Sequence, residues 1–204
     1  MSTIELKKVS FSYGYNEVLK NIDMGFDKGQ IHLIFGPSGS GKTTLLALIG
    51  GLDIPAEGII LFEGKDIANE IGLERYRREK VSFIFQNYNL IEYLTAIENI
   101  RLVSKEKDPY VFLENVGLSR ADTKRNILKL SGGEQQRVAI ARAFASEKDV
   151  ILADEPTGNL DSENARMVMK ILCDAAKTYN KCVIVASHWN EFIEIADSVY
   201  ELTK

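Results

Sequence analysis

Residues 36–43 read Gly-Pro-Ser-Gly-Ser-Gly-Lys-Thr, and this stretch limits the possible folds more than any other in the chain. It matches a phosphate-binding loop, whose glycines allow a tight turn that aims backbone N–H groups at phosphate oxygens. An apolar run, residues 30–35, precedes the loop, and a helical pattern over residues 43–50 follows it. Because the motif requires a strand before it and a helix after it, this context predicts an α/β core.

The loop also carries the side chains that nucleotide chemistry needs. Lys42 can reach the β- and γ-phosphates, Thr43 can offer its hydroxyl to Mg²⁺, and the next helix points its N-terminus at the anion. A glycine-rich turn with an exposed lysine is the alternative, which the flanking strand and helix patterns disfavour. The expected nucleotide-binding residues are Gly36, Pro37, Ser38, Gly39, Ser40, Gly41, Lys42, Thr43 and Thr44.

A second apolar run, residues 150–153, ends in two carboxylates, Asp154 and Glu155. At the end of a buried parallel strand, Asp154 would lie near the Mg²⁺ of the phosphate loop. Glu155 would orient or deprotonate an attacking water. An acidic turn after a core strand looks the same in isolation, but beside a phosphate loop we favour the nucleotide site.

The segment Ser131-Gly132-Gly133-Glu134 has two interpretations. Ser-x-x-Glu ahead of an apolar periodic stretch is a capping box that begins a helix. The two glycines also leave the helix start unencumbered, which suits an anion. Both interpretations can hold together, and sequence position alone does not say whose phosphate would bind.

Composition excludes several classes of protein. The 204 residues are 45% hydrophobic and 26% charged, which is typical of globular domains, and a net charge of −4 argues against a general nucleic-acid binder. No apolar stretch approaches the roughly 18 residues of a membrane span, and the N-terminus lacks a secretion-signal pattern. These patterns predict a soluble protein that stays where it is made. Cys173 and Cys182 lie in apolar stretches and are expected to be reduced core thiols.

Hydrophobic periodicity in the rest of the chain predicts further strands and helices. Strand patterns cover residues 4–9, 11–15, 59–62, 81–85 and 182–186, and helical patterns dominate from residue 87 to about 146. One face of a later amphipathic helix is predicted to hold Met167, Val168, Ile171, Leu172 and Ala175. Together these patterns predict an α/β core with a helical insertion.

In this order along the chain, these motifs resemble ATP-binding cassette (ABC) proteins. The resemblance covers essentially the whole chain and rests on the phosphate loop, Gln86 at a strand end, residues 130–137, the Asp154-Glu155 strand, Asn159-Leu160-Asp161 and His188. Within this family, the chain is most similar to the small ATPase subunits of the lipoprotein-release, macrolide-export and bacteriocin-export group. Three segments carry this similarity: residues 153–161, Gly51-Leu52-Asp53 and residues 94–100.

The resemblance implies the fold in more detail. The chain would be a single ABC nucleotide-binding domain, a P-loop NTPase core with an N-terminal antiparallel β subdomain and an inserted α-helical subdomain. Residues 1–86 and 147–204 would form the core lobe, and residues 87–146 the helical subdomain.

It also implies site residues that the motifs alone do not give. Tyr13, with Tyr15 as its rival, would stack on adenine, whereas His32 is interpreted as a structural histidine. Gln86 would touch Mg²⁺ or the attacking water, and His188 would contact the γ-phosphate. The implied catalytic residues are Glu155, His188 and Gln86, and the implied Mg²⁺ ligands are Thr43, Gln86 and Asp154.

In the family that the chain resembles, two copies sandwich two ATP molecules. Ser131, Gly132, Gly133 and Glu134 of one copy would close over the γ-phosphate held by the other. Asp161 would lie at the interface as a further nucleotide-binding residue, and it would cap the helix that follows it.

The resemblance further implies a separate transmembrane permease that docks near residues 87–100. There Tyr88, Leu90, Ile91, Tyr93 and Leu94 form an aromatic and aliphatic set that is either a docking surface or helical-lobe core, with Glu98 as a polar partner. The expected function is ATP hydrolysis that powers an exporter of peptide, lipoprotein or drug, at the cytoplasmic face of the cell membrane.

Two alternatives remain. A regulatory ATPase of the cell-division type would signal through a membrane protein without moving a solute, and its motifs would be the same. A soluble cassette ATPase of DNA repair or translation is disfavoured, since the chain has no long coiled-coil insertion and no second cassette. No nucleic-acid partner is expected.

Overall fold

The computed structural model describes residues 2–158 and 160–203. The strands in these residues are β1 (Ile4–Tyr13), β2 (Asn16–Phe26), β3 (Ile31–Phe35), β4 (Glu57–Phe62), β5 (Lys65–Asp66), β6 (Val81–Ile84), β7 (Val150–Asp154), β8 (Cys182–Ser187) and β9 (Ser198–Glu201). The α-helices are α1 (Lys42–Ile49), α2 (Leu73–Glu79), α3 (Ala96–Arg101), α4 (Pro109–Asn115), α5 (Gly132–Ala145) and α6 (Ser162–Tyr179). A π-helical turn covers Ile67–Ile71, and 3₁₀ turns cover Asp122–Lys124, Ile127–Lys129 and Asn190–Phe192.

A five-stranded parallel sheet, in the order β6-β7-β8-β3-β9, forms the centre of the chain. Its inner strands are buried along nearly their whole length, as expected when helices cover both faces of a sheet. Parallel strands bring their carboxyl ends to one edge, where ligands of open α/β sheets bind. The predicted α/β fold is therefore confirmed, and this edge is where a site should lie.

A four-stranded antiparallel sheet, in the order β2-β1-β4-β5, packs beside the core. The sequence pattern did not predict β2, because this strand is polar and mostly exposed and lacks a clean alternation of buried residues. The predicted strand over residues 11–15 is also wrong at its end. Tyr13 closes β1, and Gly14, at φ +60°, turns the chain into β2.

Helices α3, α4 and α5 lie in the region where helical patterns dominate. Their buried side chains join those of α6 and of the parallel sheet in one apolar cluster. Sequence patterns did not predict α2 and the π-helical turn before it, which lie between β4 and β6. Both elements are short, and most residues of α2 are charged, so their periodicity is weak.

The phase of α6 differs from the prediction at one position. Met167 is 41% exposed, whereas Met169, which was not predicted to be buried, is 1% exposed. The two thiols also differ: Cys182 is buried, and burial raises its pKa to about 12, but Cys173 is only half-buried.

His32 supports its structural interpretation. Its ring is buried, packs edge-on against Phe26 and places Nδ1 2.6 Å from the Ser198 hydroxyl. Burial lowers its pKa, which favours a neutral ring joining β3 to β9. In the described part of the chain, every helix is too short or too polar to span a bilayer.

Candidate functional site

Four neighbouring strands of the parallel sheet deliver the predicted site residues to one edge. The phosphate loop, residues 36–43, follows β3, and Glu155 follows β7. His188 follows β8, and Gln86 comes two residues after β6. Because these strands are parallel and adjacent, residues far apart in sequence converge there.

The phosphate loop is shaped by its glycines. Gly39 and Gly41 have φ +78° and +96°, in the left-handed region that other residues rarely adopt. A Cβ at Gly36 would overlap the backbone carbonyl of Leu202, beyond β9, and one at Gly41 would lie 3.0 Å from a Val18 methyl carbon. The loop is therefore held tightly between β9 and β2, with residues 37–39 exposed at its tip.

Lys42 begins α1 and is only 5% exposed. Its Nζ donates hydrogen bonds to the carbonyls of Gly36, at 2.8 Å, and Pro37, at 3.1 Å. It also lies 3.4 Å from Oε1 of Glu155. A buried ammonium group is thus surrounded by acceptors.

Glu155 contacts both Lys42 and His188, and these three side chains form a charged cluster. Its Oε1 pairs with Lys42, and its Oε2 lies 3.0 Å from Nδ1 of His188. The residue adopts φ +44°, an uncommon conformation for a glutamate, while its N–H donates to the Ala186 carbonyl at 2.9 Å. Backbone strain of this kind is concentrated at functional sites.

The turn after β8 positions His188. The buried Ser187 hydroxyl accepts a hydrogen bond from the Trp189 N–H at 3.2 Å. The Trp189 ring stacks on Phe192, with 5.7 Å between centroids. These contacts hold the backbone on either side of His188, while the His188 side chain stays half exposed beside Glu155.

Thr43 and Asp154 form a second pair of oxygen ligands next to the charged cluster. The Thr43 hydroxyl donates to Oδ1 of Asp154 at 3.2 Å. Burial raises the pKa of Asp154, and the negative charge of Glu155 adds to this, against the opposing effects of the Thr43 hydrogen bond and Lys42. A carboxylate in this setting gains from a nearby cation.

Gln86 and Tyr13 lie at the margins of the site. Gln86 is exposed, and its Nε2 is 3.4 Å from where a Cβ of Gly158 would be, so it borders the turn that follows Glu155. Tyr13 is 57% exposed at the end of β1, and its ring meets Phe11 edge-on at 5.0 Å. Tyr15 is fully exposed in the adjoining turn.

The predicted capping box at the start of α5 is confirmed. The Glu134 N–H donates to the Ser131 hydroxyl at 3.3 Å, and the Ser131 N–H donates to Oε2 of Glu134 at 2.7 Å. Gly132 and Gly133 therefore occupy the first helical turn, where N–H groups have no acceptor within the helix. Ser131 and Gly132 are exposed.

Asp161 caps α6, as predicted. Its Oδ1 accepts hydrogen bonds from the N–H groups of Glu163, at 3.1 Å, and Asn164, at 2.9 Å. Asn159, a further residue of the ABC resemblance, lies outside the described residues.

Residues 87–100 are neither wholly surface nor wholly core. Tyr93 is 79% exposed, whereas Leu90 packs against the main apolar cluster. The Glu98 carboxylate accepts hydrogen bonds from the N–H and hydroxyl of Thr95, so one of its oxygens is engaged within its own helix start.

Sequence reasoning missed Arg142, which holds this segment in place. Its guanidinium donates to the carbonyls of Asn89, at 2.6 Å, and Tyr88, at 3.1 Å. Tyr88 and Asn89 adopt φ +60° and +47°. No sequence signal marks this contact, because it joins backbone atoms to a helix more than fifty residues later.

Comparison with known proteins shows the family of the chain. The family model described as "ABC transporter" matches residues 19–158. The chain is 39% identical to the "Uncharacterized ABC transporter ATP-binding protein YclH" of Bacillus subtilis, over 100% of this chain and 95% of the relative. It is 42% identical to the "Lipoprotein-releasing system ATP-binding protein LolD" of Aquifex aeolicus, over 97% of this chain and 91% of the relative.

One solved structure is similar to the chain in both fold and sequence. It is the "Dimeric structure of a post-hydrolysis state of the ATP-binding cassette MJ0796 bound to ADP and Pi", with a TM-score of 0.86 and 34% identity. The match covers 98% of this chain and 94% of that one. The phosphate loop, the Lys42–Glu155–His188 cluster and these relatives lead to one assignment: the chain belongs to the ABC transporter family and is an ATPase subunit of a transporter.

Proposed function

We propose that the chain powers a separate membrane permease that exports a peptide, a lipoprotein or a drug, and that it works as a dimer around two ATP molecules. The observation that carries the proposal is the Glu155 carboxylate held between Lys42 and His188. The name of the lipoprotein-releasing relative supports export. The ATPase would then work at the cytoplasmic face of the membrane, where ATP is available.

ATP would bind to the phosphate loop, residues 36–43, with Thr44 behind it and Tyr13 stacked on adenine. The phosphate oxygens would take the place of the loop carbonyls and Glu155 as acceptors for Lys42. Two of its present acceptors belong to the same loop, so the exchange would need only a small movement of the ammonium group. Glu155 would then be left facing His188 and the γ-phosphate.

Mg²⁺ fits the oxygen ligands that the chain offers. The Thr43 hydroxyl and the Asp154 carboxylate are hard donors 3.2 Å apart, and Gln86 would add an amide oxygen. In the described residues, no three His, Cys, Asp or Glu side chains gather into a metal site. Mg²⁺ would therefore be held jointly with the phosphates of ATP, whose charge it would neutralise.

Glu155 would orient the attacking water and accept its proton, and His188 would stabilise charge on the γ-phosphate. The segment made of residues 131–134 would act on the ATP of the second copy. Its exposed Ser131 and Gly132, at the N-terminus of the fourteen-residue α5, suit an anion that another chain presents. Asp161 would lie at the same interface.

The proposed helical subdomain, residues 87–146, would transmit the cycle to the permease. Tyr93, exposed next to a segment that Arg142 clamps, would be a contact with the permease. Loss of the γ-phosphate would release the two copies and so move this surface.

Glu155→Gln should abolish turnover but not ATP binding, because the amide keeps the shape of the carboxylate and cannot accept a proton. We expect ATP hydrolysis to fall roughly 10²–10⁴-fold and an ATP-bound dimer to accumulate. The measurements are phosphate release and sedimentation with Mg-ATP. Glu147→Gln is the matched control, since Glu147 also has a positive φ, +55°, and a lysine partner, Lys107. Undiminished hydrolysis by Glu155→Gln would refute its role.

Asp154→Asn should make the nucleotide-free protein more stable and remove its stabilisation by Mg-ATP. The raised pKa of Asp154 means that its charged form is disfavoured in the folded state. This penalty is present above the folded-state pKa, so the gain from asparagine should be largest at neutral pH and shrink as the pH approaches 3.8, the ordinary aspartate value. Thermal unfolding with and without Mg-ATP measures both effects. A less stable apo variant at neutral pH would count against the pKa argument.

Tyr93→Ala should weaken capture of the permease. In the Glu155→Gln background, tagged protein is incubated with Mg-ATP and detergent-solubilised membranes of its native host, and recovered membrane proteins are identified. We expect a multi-span protein with the parent and several-fold less with Tyr93→Ala. Tyr179→Ala, which removes another exposed tyrosine, should recover as much as the parent. Recovery of soluble partners alone would contradict the transporter proposal, whereas a membrane partner without a solute pathway would favour signalling.

A further inference from the structure

Asn164, in the first turn of α6, connects two segments that the proposed function assigns to the partner's ATP. Its side-chain Nδ2 donates to Oδ2 of Asp161 at 2.7 Å. Its Oδ1 accepts from Nη1 of Arg137, on α5, at 2.9 Å. One amide thus joins the helix that begins at residues 131–134 to the loop that carries Asp161.

The same side chain also lies against the backbone at the start of α5. A Cβ placed on Gly133 would come within 2.9 Å of Asn164 Oδ1 and 3.0 Å of its Cγ. Gly133 has ordinary helical geometry, so its lack of a side chain is explained by this close approach and not by backbone conformation. The helix start is therefore seated directly on Asn164.

The amide of Asn164 suits these partners because it carries both a donor and an acceptor. Arg137 offers donors alone, and the Asp161 carboxylate offers acceptors alone. The hydrogen bonds of Asp161 to the Asn164 N–H and side chain hold the pKa of Asp161 below its usual value, so it stays ionised. An aspartate at position 164 would place two carboxylates in contact, and an alanine would break both hydrogen bonds.

A second helix start in the chain shows what this geometry does when it is only a cap. Asp66 accepts from the N–H groups of Ala68 and Asn69, and Asn69 Nδ2 donates to Asp66 Oδ2 at 2.8 Å. The local arrangement is the same as at Asp161 and Asn164. Asn69, however, is exposed, whereas Asn164 is half-buried against α5. Capping therefore does not require the contacts with Arg137 and Gly133.

We propose that Asn164 is a positioning residue for ATP hydrolysis by the dimer: it fixes residues 131–134 relative to Asp161, so that both reach the partner's nucleotide together. The inference rests on the proposed function. Asn164 itself contacts neither the phosphate loop nor Glu155 among its hydrogen bonds in the described residues, so it acts through the segments that it holds.

The test measures ATP-dependent dimerisation in the Glu155→Gln background for Asn164→Ala and Asn164→Asp. Sedimentation gives the dimer dissociation constant, and a fluorescent ATP analogue gives the affinity of the monomer for nucleotide. We expect the dimer to weaken roughly tenfold to a hundredfold, since hydrogen bonds to charged groups are lost in both copies. The affinity of the monomer should not change, because the phosphate loop is untouched.

Asn69→Ala and Asn69→Asp are the matched controls. They remove the same hydrogen bond to a capping aspartate, and they should leave the dimer unaffected. Each Asn164 variant should unfold at a somewhat lower temperature than the corresponding Asn69 variant, because the Asn164 side chain also contacts α5. It should stay folded at the temperature of the sedimentation experiment, since both backbone caps remain.

Dimerisation of the Asn164 variants equal to that of the Asn69 variants would overturn the inference. So would a loss of dimer accompanied by an equal loss of monomer affinity or by unfolding at the temperature of the experiment, which would make Asn164 a folding residue only. If the Glu155→Gln parent itself stays monomeric with ATP, the proposed dimer is wrong, and the inference fails with it.

Discussion

The buried ammonium group of Lys42 determines how the rest of the site must be built. A charge that is 5% exposed needs acceptors on every side, because burying it without partners costs several kcal/mol. Two carbonyls of its own loop and the Glu155 carboxylate supply them. Since these acceptors come from the ends of β3 and β7, the parallel sheet that aligns those ends is what makes the cation tolerable.

The same arrangement makes the site responsive to phosphate. Glu155 already faces His188 through its second oxygen, so it does not lose all its partners when Lys42 turns to an anion. Asp154, whose pKa is raised by burial, favours the arrival of a cation next to Thr43. In the proposed cycle, Lys42 would exchange its carbonyl acceptors for phosphate oxygens and Asp154 would gain a cation when Mg-ATP binds. The other proposed half of the site begins at residues 131–134, on α5, and Asn164 links this helix to the loop after β7 that carries Asp161.

Sequence patterns predicted the parts of the molecule that depend on local spacing. Short local motifs predicted the phosphate loop, the Asp154-Glu155 strand end and both capping residues, Ser131 and Asp161. Each of these motifs is contained within a few neighbouring residues. The strand β2 was missed because polar residues dominate it, and Met169 was missed because the helical phase was read from Met167.

The contacts that join distant segments carried no such signal. In the sequence, Asn164 is an ordinary residue of a helix start, and only the structure shows its hydrogen bond with Arg137. The acceptors of Arg142 are backbone carbonyls, which no side-chain pattern identifies. Their partners are set by tertiary packing, which periodicity and spacing do not encode. Sequence therefore predicted where the charged side chains at the strand ends lie better than which residues hold distant segments together.

The most direct test of a site shared between two copies is complementation by mixing. Lys42→Ala disables the phosphate loop, and Ser131→Arg disables the segment proposed to close over the partner's ATP. In a mixed dimer, one of the two sites takes its phosphate loop from the Ser131→Arg chain and its closing segment from the Lys42→Ala chain, so it is intact. We predict ATP turnover in the mixture that neither variant shows alone. A sample of the doubly substituted chain by itself should show no turnover. Turnover that never exceeds the sum of the separate variants would place each site within a single chain and contradict the shared site.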